Sequence, residues 1–249
     1  VLMPGSVNEC FEFGWKAFDL AERFQTPVFV LSDLDLGMNH WMTEPFEYPD
    51  APIDRGKILW EEDLDGIEDY GRYLDTDGDG IAYRTLPGNR HTKSAHFTRG
   101  TGHDEYANYS EEPDVWVRNM DRLQLKFENA RAMVPKAELN PLDGAKIGLI
   151  AFGSTDPAVR EALDYLQAEE LPVDYLRLRA LPVGPEVRDF IYDHERVYVV
   201  EMNRDGQLHQ IISLEVPGRA INLISLTQND GLPLAASWIK GAILNEERS

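Results

Sequence analysis

Two short segments of the chain carry residue types suited to chemistry, and the first surrounds His103. In Thr98-Arg-Gly-Thr-Gly-His103-Asp-Glu105, two glycines would let the backbone approach a ligand, and a histidine beside two carboxylates suits proton transfer. The alternative is a glycine-rich surface turn with solvated charges, and the local sequence favours neither interpretation. His91 and His96 lie nearby, but the spacing of the three histidines matches no zinc signature.

The second segment begins like a calcium-binding loop. Asp75-Thr-Asp77-Gly-Asp79-Gly80 places oxygen ligands at alternate positions and a glycine at the turn. An EF-hand loop also requires a bidentate glutamate at its twelfth position, which is Leu86 here. A solvated Asp-Gly turn is therefore favoured over a cation bound by Asp75, Asp77 and Asp79.

Two further polar turns follow predicted strands in the second half of the chain. Gly153-Ser-Thr155 precedes a helix N-terminus, where an anion can bind, but Ser and Thr are also ordinary helix caps and capping is favoured. The turn at residues 201–207 carries several side chains that could hydrogen-bond across an interface. No Ser–His–Asp, Cys–His or Gly-x-Ser-x-Gly nucleophile arrangement is apparent.

The elements that would position these turns differ between the two halves of the chain. From residue 144 onward strand patterns alternate with helical patterns, which predicts an α/β fold with a parallel sheet and helices on both faces. Residues 43–113 lack apolar runs and are expected to form a long irregular segment. Residues 114–134 are expected to form a helix with an apolar face made of Trp116, Met120, Leu123, Phe127 and Ala130.

The segment from Phe24 to Trp41 places a polar turn directly after a predicted strand. Pro27 ends the first helix, and Val28–Leu31 are expected to form a fully buried parallel strand. Ligands of open α/β sheets bind at the carboxyl ends of strands, where the turn lies. The first helix begins almost at residue 1, so we expect no strand before it and expect the chain to be the later part of a larger protein.

Composition excludes several classes of function. The net charge of −20 argues against binding the phosphates of nucleic acid or an anionic membrane surface. No apolar run approaches the ~18 residues that span a bilayer. Cys10 is the only cysteine, which suits a reducing, cytoplasmic compartment and leaves this chain without the ligands of an iron–sulfur cluster.

Four segments, in this order, resemble the alpha subunit of 2-oxoacid:ferredoxin oxidoreductases, and most closely the 2-oxoglutarate type. They are residues 26–39 (Thr-Pro-Val-Phe-Val-Leu-Ser-Asp-Leu-Asp-Leu-Gly-Met-Asn), 84–88 (Arg-Thr-Leu-Pro-Gly), 97–105 (Phe-Thr-Arg-Gly-Thr-Gly-His-Asp-Glu) and 199–207 (Val-Val-Glu-Met-Asn-Arg-Asp-Gly-Gln). The resemblance covers nearly the whole chain. It implies a partial thiamine-diphosphate-binding domain of the pyrimidine type at residues 1–143 and a transketolase-C-terminal-like domain at residues 144–249.

The resemblance also implies a reaction, its cofactors and its partners. The reaction is the oxidative decarboxylation of a 2-oxoacid, with the acyl group passed to coenzyme A and the electrons passed to ferredoxin. Thiamine diphosphate with Mg²⁺ and a 4Fe–4S cluster would be held mostly by a beta subunit, and this chain alone would bind none of them. The implied assembly is a hetero-oligomer.

Roles for individual residues follow from the same resemblance. It implies catalytic roles for Asn39, His40 and His103, cofactor contacts for Asp33 and Gly37, and interface contacts for Asn203, Gly206 and Gln207. Some relatives carry an Arg just after the position of Asp33 that grips the substrate carboxylate. Here the turn reads Leu34-Asp-Leu36, so that clamp must come from elsewhere, and Asn39 and His40 are the polar candidates for it. The alternative is a non-catalytic interaction or regulatory module that retains the fold.

Overall fold

The computed structural model describes residues 1–94 and 100–248 and forms two compact units. The sheet unit comprises Val1–Trp15, Phe29–Tyr48 and Val134–Ser249, and the loop unit comprises Lys16–Val28 and Pro49–Met133. The division of the chain expected at residues 143 and 144 stays a prediction. The helices are α1 (Val7–Phe24), α2 (Leu34–Met38), α3 (Glu61–Asp65), α4 (Pro113–Ala130), α5 (Asp156–Ala168), α6 (Pro185–Asp193), α7 (Gln207–Glu215) and α8 (Ala236–Glu247).

The sheet unit is built on five strands. They are β1 (Glu138–Asn140), β2 (Ile147–Phe152), β3 (Val173–Leu178), β4 (Arg196–Glu201) and β5 (Leu223–Thr227). Their order is β1-β3-β2-β4-β5, with β1 antiparallel to β3 and every other pairing parallel. The expected α/β fold with a mainly parallel sheet is therefore confirmed.

Helices cover both faces of this sheet because successive strand residues point to opposite sides. In β2, Leu149 and Ala151 pack with α5 and α8, whereas Ile150 packs with α6 and α7. The strands are thus buried on both faces, and their sequences are nearly continuous apolar runs. No helix in the described ranges is both long and apolar enough to cross a membrane.

The predicted strand Val28–Leu31 is wrong. Val30 forms a single parallel bridge with Leu2, while Phe29, Val30 and Leu31 are exposed. A buried strand needs neighbours on both edges and both faces, and in the described residues Leu2 supplies one edge only. Leu2, which precedes the first helix, is itself paired on two sides. It bridges Val30 on one side and Ala180 on the other, where Met3 N donates to Arg179 O and Leu181 N donates to Val1 O.

The loop unit contains little regular structure. Between residues 49 and 112 its described part holds the short helix α3, with isolated bridges at Ile58–Arg84 and His103–Tyr109. Helix α4 forms where a helix was expected, although it ends at Ala130, and most of its predicted apolar face is exposed. Trp116, Met120 and Phe127 are exposed, whereas Lys126 is buried.

A close backbone approach explains which face of α4 is buried. Gly80 has φ +81°, and a Cβ atom there would lie 2.5 Å from Lys126 N and 2.6 Å from Arg122 O. Arg122 Nη1 donates to Gly80 O at 3.0 Å, and Asn129 Nδ2 donates to Asp79 O at 2.8 Å. Hydrogen bonds to turn carbonyls therefore orient the helix, and its apolar stripe faces away from them.

Candidate functional site

A cleft of about 330 Å³ opens in the sheet unit at the carboxyl edge of the parallel sheet. One wall is the turn around α2, and the other consists of the loops that follow β4 and β5. The lining residues are Asp33, Leu34, Asp35, Met38, Asn39, Met202, Gln228, Asn229, Gly231, Leu232 and Pro233. This is the edge at which open α/β folds bind ligands.

Asp33 anchors the turn and leaves neither carboxylate oxygen unbonded. Its Oδ1 accepts from Leu36 N at 2.9 Å and caps α2, while its Oδ2 accepts from Ser154 N at 3.0 Å. Gly153 has φ +66°, and a Cβ atom there would lie 3.1 Å from Asp33 Oδ2. This geometry indicates that Asp33 holds the turn around α2 in place.

The same contact corrects the expectation that a Ser or Thr side chain caps the helix after Gly153-Ser-Thr155. Thr155 is the N-cap of α5 but makes no side-chain cap bond. The Ser154 hydroxyl oxygen is buried and has no hydrogen-bond partner. The anion that meets this backbone turn is the Asp33 carboxylate, which the sequence could not reveal because 121 positions separate the two residues.

Asn39 and Asp35 form the polar part of the turn. The Asn39 amide donates to the Asp35 carboxylate, and Trp41 Nε1 donates to Asp35 O at 3.0 Å. His40 and Gly37 are exposed on the same turn but do not line the cleft. Of the predicted cofactor and catalytic residues, the structure therefore brings Asp33 and Asn39 to the cleft.

Gln228 lines the cleft and was missed by sequence reasoning. Its amide nitrogen donates to the Asp230 carboxylate, so its Oε1 points the other way, where it is buried and has no hydrogen-bond partner. An unsatisfied buried acceptor costs free energy unless a donor meets it. The available signal was positional, because Gln228 directly follows β5 at the same sheet edge.

His103 lies in the loop unit. Its Nδ1 is 2.7 Å from Thr101 O, its Nε2 is buried without a partner, and its ring packs against that of Tyr73 with centroids 4.0 Å apart. The neighbouring carboxylates make no hydrogen bond to this ring nitrogen. Asp104 accepts from Tyr106 N and Asn108 N, and Glu105 accepts from Arg118. Phe97, Thr98 and Arg99 of the predicted motif, and His96, lie outside the described residues.

Hydrogen bonds hold both carboxylates in the ionised form. Desolvation acts to raise the pKa of Asp104, but bonds from Asn108 and Tyr106 outweigh it and lower the pKa. The Arg118 guanidinium lowers the pKa of Glu105. A proton donor next to His103 is therefore not provided by either side chain at neutral pH.

The turn at residues 201–207 closes on itself. Glu201 is 1% exposed and accepts from Leu208 N at 2.7 Å, His209 N at 2.9 Å and Asn203 Nδ2 at 2.7 Å. Asn203 Oδ1 accepts from Gly206 N at 2.8 Å, and a Cβ atom on Gly206 would lie 2.5 Å from Ser225 Oγ. Gln207 is exposed. Asn203 and Gly206 thus build the turn itself, and the interface role of all three residues stays a prediction.

The Asp75–Asp79 loop holds a lysine ammonium. Lys57 Nζ lies 2.7 Å from Asp77 Oδ2 and 2.7 Å from Asp79 Oδ1, while Asp75 accepts from Gly78 N and Gly80 N. No group of three or more His, Cys, Asp or Glu side chains in the described part of the chain is arranged to hold a metal ion. The positive charge that these aspartates meet is therefore that of Lys57.

No family model matches the chain. Among curated proteins, the alpha subunit of 2-oxoacid:ferredoxin oxidoreductase 2 from Aeropyrum pernix is 31% identical, over 98% of this chain and 37% of its own length. The 2-oxoglutarate synthase subunit KorA of Methanothermobacter marburgensis is 27% identical, over 84% of this chain and 54% of its own length.

A solved structure adds a match in three dimensions. The 2-oxoglutarate:ferredoxin oxidoreductase from Magnetococcus marinus, with 2-oxoglutarate, coenzyme A and succinyl-CoA bound, has a TM-score of 0.82 and 28% identity, over 98% of this chain and 41% of that chain. The chain spans less than two thirds of each of these relatives. The resemblance seen in its motifs is confirmed: over nearly its whole length, the chain is homologous to 2-oxoacid:ferredoxin oxidoreductase alpha subunits.

Proposed function

We propose that the chain is part of the alpha subunit of a 2-oxoglutarate:ferredoxin oxidoreductase that converts its substrate to an acyl-CoA and passes electrons to ferredoxin. The carrying observation is the chemistry of the cleft at the sheet edge. Its charged lining residues, Asp33 and Asp35, are both acidic, Gln228 adds an unsatisfied acceptor, and Met38, Met202 and Leu232 are apolar. Such a cleft suits a flat, apolar ring that carries hydrogen-bond donors and positive charge.

This set of acidic and acceptor groups fits the ring portion of thiamine diphosphate, which carries an amino group and a cationic thiazolium. Thiamine diphosphate, when bound, supplies the carbon nucleophile that attacks the 2-oxo group. On this chain, Gln228 Oε1 and the Asn39–Asp35 pair would accept from the ring donors, and Asp33 would fix the turn that presents them. The same lining does not suit a substrate carboxylate, because like charges repel.

Mg²⁺ and the 4Fe–4S cluster fit the described residues of this chain poorly, which supports a partner subunit as their holder. The described residues include no metal-binding group of His, Cys, Asp and Glu side chains. Burial, together with Asp33 and Glu9, raises the pKa of the Cys10 thiol, whereas a cluster ligand must be a thiolate. The lone thiol also supports a cytoplasmic location.

Exposed apolar side chains support the proposal of a hetero-oligomer. Phe29 is 66% exposed, Leu34 is 75% exposed and Met38 is 72% exposed, all on the segment that leads into and forms the cleft. Apolar side chains that are contiguous and exposed mark interaction surfaces. The beta subunit of the same enzyme is the proposed partner, with coenzyme A and ferredoxin reached through the complex.

The test is an assay of the assembled enzyme. The subunit that contains this chain is purified with its cluster-binding partner, and viologen reduction that depends on 2-oxoglutarate and coenzyme A is measured. We expect Gln228→Leu to raise the half-saturating concentration of thiamine diphosphate about tenfold, since a buried hydrogen bond is worth roughly 1 kcal/mol or more. Gln167→Leu, exposed on α5, is the control and should change nothing. Absence of turnover on any 2-oxoacid would overturn the proposal.

The competing proposal is a non-catalytic module that keeps the fold. It is favoured by the structural roles of Asp33, Asn203 and Gly206, whose polar groups are used within the chain. Replacement of Asn39, His40 and His103 by Ala in the complex separates the two proposals. The module predicts unchanged turnover, whereas the enzyme proposal predicts its loss.

A further inference from the structure

Three basic side chains of the loop unit lie close enough for their charges to interact. The guanidinium carbons of Arg72 and Arg122 lie 5.0 Å and 5.8 Å from the centre of the same aromatic ring, that of Tyr73. Lys126 follows Arg122 by four positions on α4 and therefore lies on the same face of the helix. We call Arg72, Arg122 and Lys126 the basic cluster.

The basic cluster is largely buried and lacks carboxylate partners. Lys126 is 7% exposed, and Arg122 Nε is buried without any hydrogen-bond partner. Within residues 1–94 and 100–248, none of the three cations forms an ion pair with a carboxylate. The chain carries 44 acidic residues against 24 basic ones, so a shortage of carboxylates does not explain this.

The electrostatics of the basic cluster are unfavourable without a counter-charge. Burial lowers the pKa of Lys126, and the charges of Arg122 and Arg72 lower it further. Burial likewise lowers the pKa of Arg72 and of Arg122. The carboxylates that act on Arg122 are Asp75 and Glu105, and each already accepts hydrogen bonds elsewhere, from turn amides and from Arg118.

We propose that the basic cluster binds an oxyanion, the phosphate group of a phosphorylated ligand. Guanidinium groups present planar pairs of donors that match phosphate oxygens, and an ammonium adds a point charge. A dianionic phosphate offsets more of the clustered charge than a single carboxylate would. The partly exposed Arg72 and Arg122 side chains provide the approach to the buried Lys126.

His103 belongs to the same site. Its ring packs against that of Tyr73, tilted by 36°, and both guanidinium groups lie near the same Tyr73 ring. Its Nδ1 is directed at Thr101 O, and its buried Nε2 has no hydrogen-bond partner among the described residues, so Nε2 is the ring nitrogen left for a ligand. His103 would act as an anion ligand, a role different from the catalytic one expected from the sequence.

This inference does not depend on the proposed 2-oxoacid chemistry. The phosphate could belong to inorganic phosphate or diphosphate, or to coenzyme A, and the chemistry that recognises it is the same. The test therefore titrates the 249-residue chain with each of these three compounds by calorimetry, with chloride added to keep the ionic strength constant.

The variants are Lys126→Met and Arg72→Gln. The matched control is Arg131→Gln, at the end of α4, where the arginine is paired with Glu128 at 2.8 Å. We expect saturable binding to the wild-type chain. The affinity should fall by about tenfold or more in each cluster variant, because each substitution removes a charge-assisted hydrogen bond to the anion, and it should be unchanged in the control. Retained far-ultraviolet circular dichroism checks that each variant is folded.

The outcomes separate the sources of the phosphate. Competition among all three compounds supports a site for the phosphate group itself, and binding of coenzyme A alone, lost in the variants, supports the site with that compound as its source. No saturable binding of any compound, or binding unaffected by Lys126→Met and Arg72→Gln, would overturn the proposal. Because no turnover is measured, failure of the proposed enzyme activity leaves this result standing.

Discussion

Each unit of the chain contains a cluster of basic side chains with one buried cation, and the two clusters are built in opposite ways. In the sheet unit, Arg177 lies with its guanidinium 2.6 Å and 2.8 Å from the two oxygens of Glu9, and Arg179 donates to the same carboxylate at 2.7 Å. In the loop unit, Arg72, Arg122 and Lys126 repel one another and no carboxylate pairs with them in the described residues.

The difference separates a structural use of buried charge from a use that requires a ligand. Glu9 is nearly buried and its oxygens also accept from Gly5 N at 2.7 Å, so the sheet-unit cluster is complete within the chain. A buried charge without a partner destabilises the fold, and an incomplete cluster persists when something outside the chain completes it. Removing charge should therefore have opposite effects in the two units.

The largest effect is expected in the sheet unit. Glu9→Gln should lower the free energy of unfolding by about 3 kcal/mol, because it leaves the buried Arg177 charge without its closest partner. Urea denaturation measures this. The control is Arg188→Gln, which removes a surface pair with Glu215 and should cost less than about 1 kcal/mol. Equal changes in the free energy of unfolding for the two variants would show that the buried cluster contributes no more to stability than a surface ion pair.

A smaller effect of opposite sign is expected in the loop unit. Lys126→Met should raise the free energy of unfolding by about 1 kcal/mol in buffer without phosphate, because an unpaired buried charge gives way to an apolar side chain of similar length. The same denaturation experiment measures it. A loss of stability would contradict the view that Lys126 lacks a carboxylate partner among the described residues.

The dependence on pH should distinguish the clusters more finely. Burial acts to raise the pKa of Glu9, but hydrogen bonds from Arg177 and Gly5 hold that pKa below the ordinary 4.5. The contribution of Glu9 to the stability of the fold is therefore complete above pH 4.5 and is lost as pH falls through the lowered pKa. Burial lowers the pKa of Lys126 from 10.5, so the chain should gain stability between that lowered pKa and 10.5.

Denaturation midpoints across both pH windows measure these trends. The gain of stability at alkaline pH should vanish in Lys126→Met. Among single carboxylate variants, only those in the Glu9 cluster should shift the onset of the acid loss of stability to higher pH. A wild-type midpoint that falls steadily above neutral pH, with no difference from Lys126→Met, would contradict the assignment for the loop unit.

The sheet unit was largely predictable, because local patterns agree there with tertiary packing. Apolar runs such as Ile147–Phe152 are buried on both faces, and Pro157 lies in the first turn of α5 as its fixed φ favours. The position of the candidate site followed from the sequence only in part. The Asp33 turn does lie at the carboxyl edge of a parallel sheet, but the strands that end beside it are β2, β4 and β5, and the predicted strand Val28–Leu31 does not form.

What the sequence could not provide depends on contacts between distant positions. The apolar pattern at Phe29–Leu31 has the composition of a buried strand, but pattern does not reveal whether neighbours are present in the chain. The apolar stripe of α4 likewise does not show which face of the helix packs, because hydrogen bonds to the Gly80 turn determine that. The Asp33–Ser154 bond and the unsatisfied Gln228 oxygen likewise required three-dimensional coordinates.

One measurement tests the contrast between the two clusters most directly. A crystal of the chain soaked in tungstate, a tetrahedral oxyanion that scatters anomalously, would locate bound anions without any assumption about the ligand. We predict a peak within hydrogen-bond distance of the side chains of Arg72, Arg122 and Lys126, and none beside Arg177 and Arg179. A peak beside the Glu9 pair, or an empty basic cluster, would contradict the account.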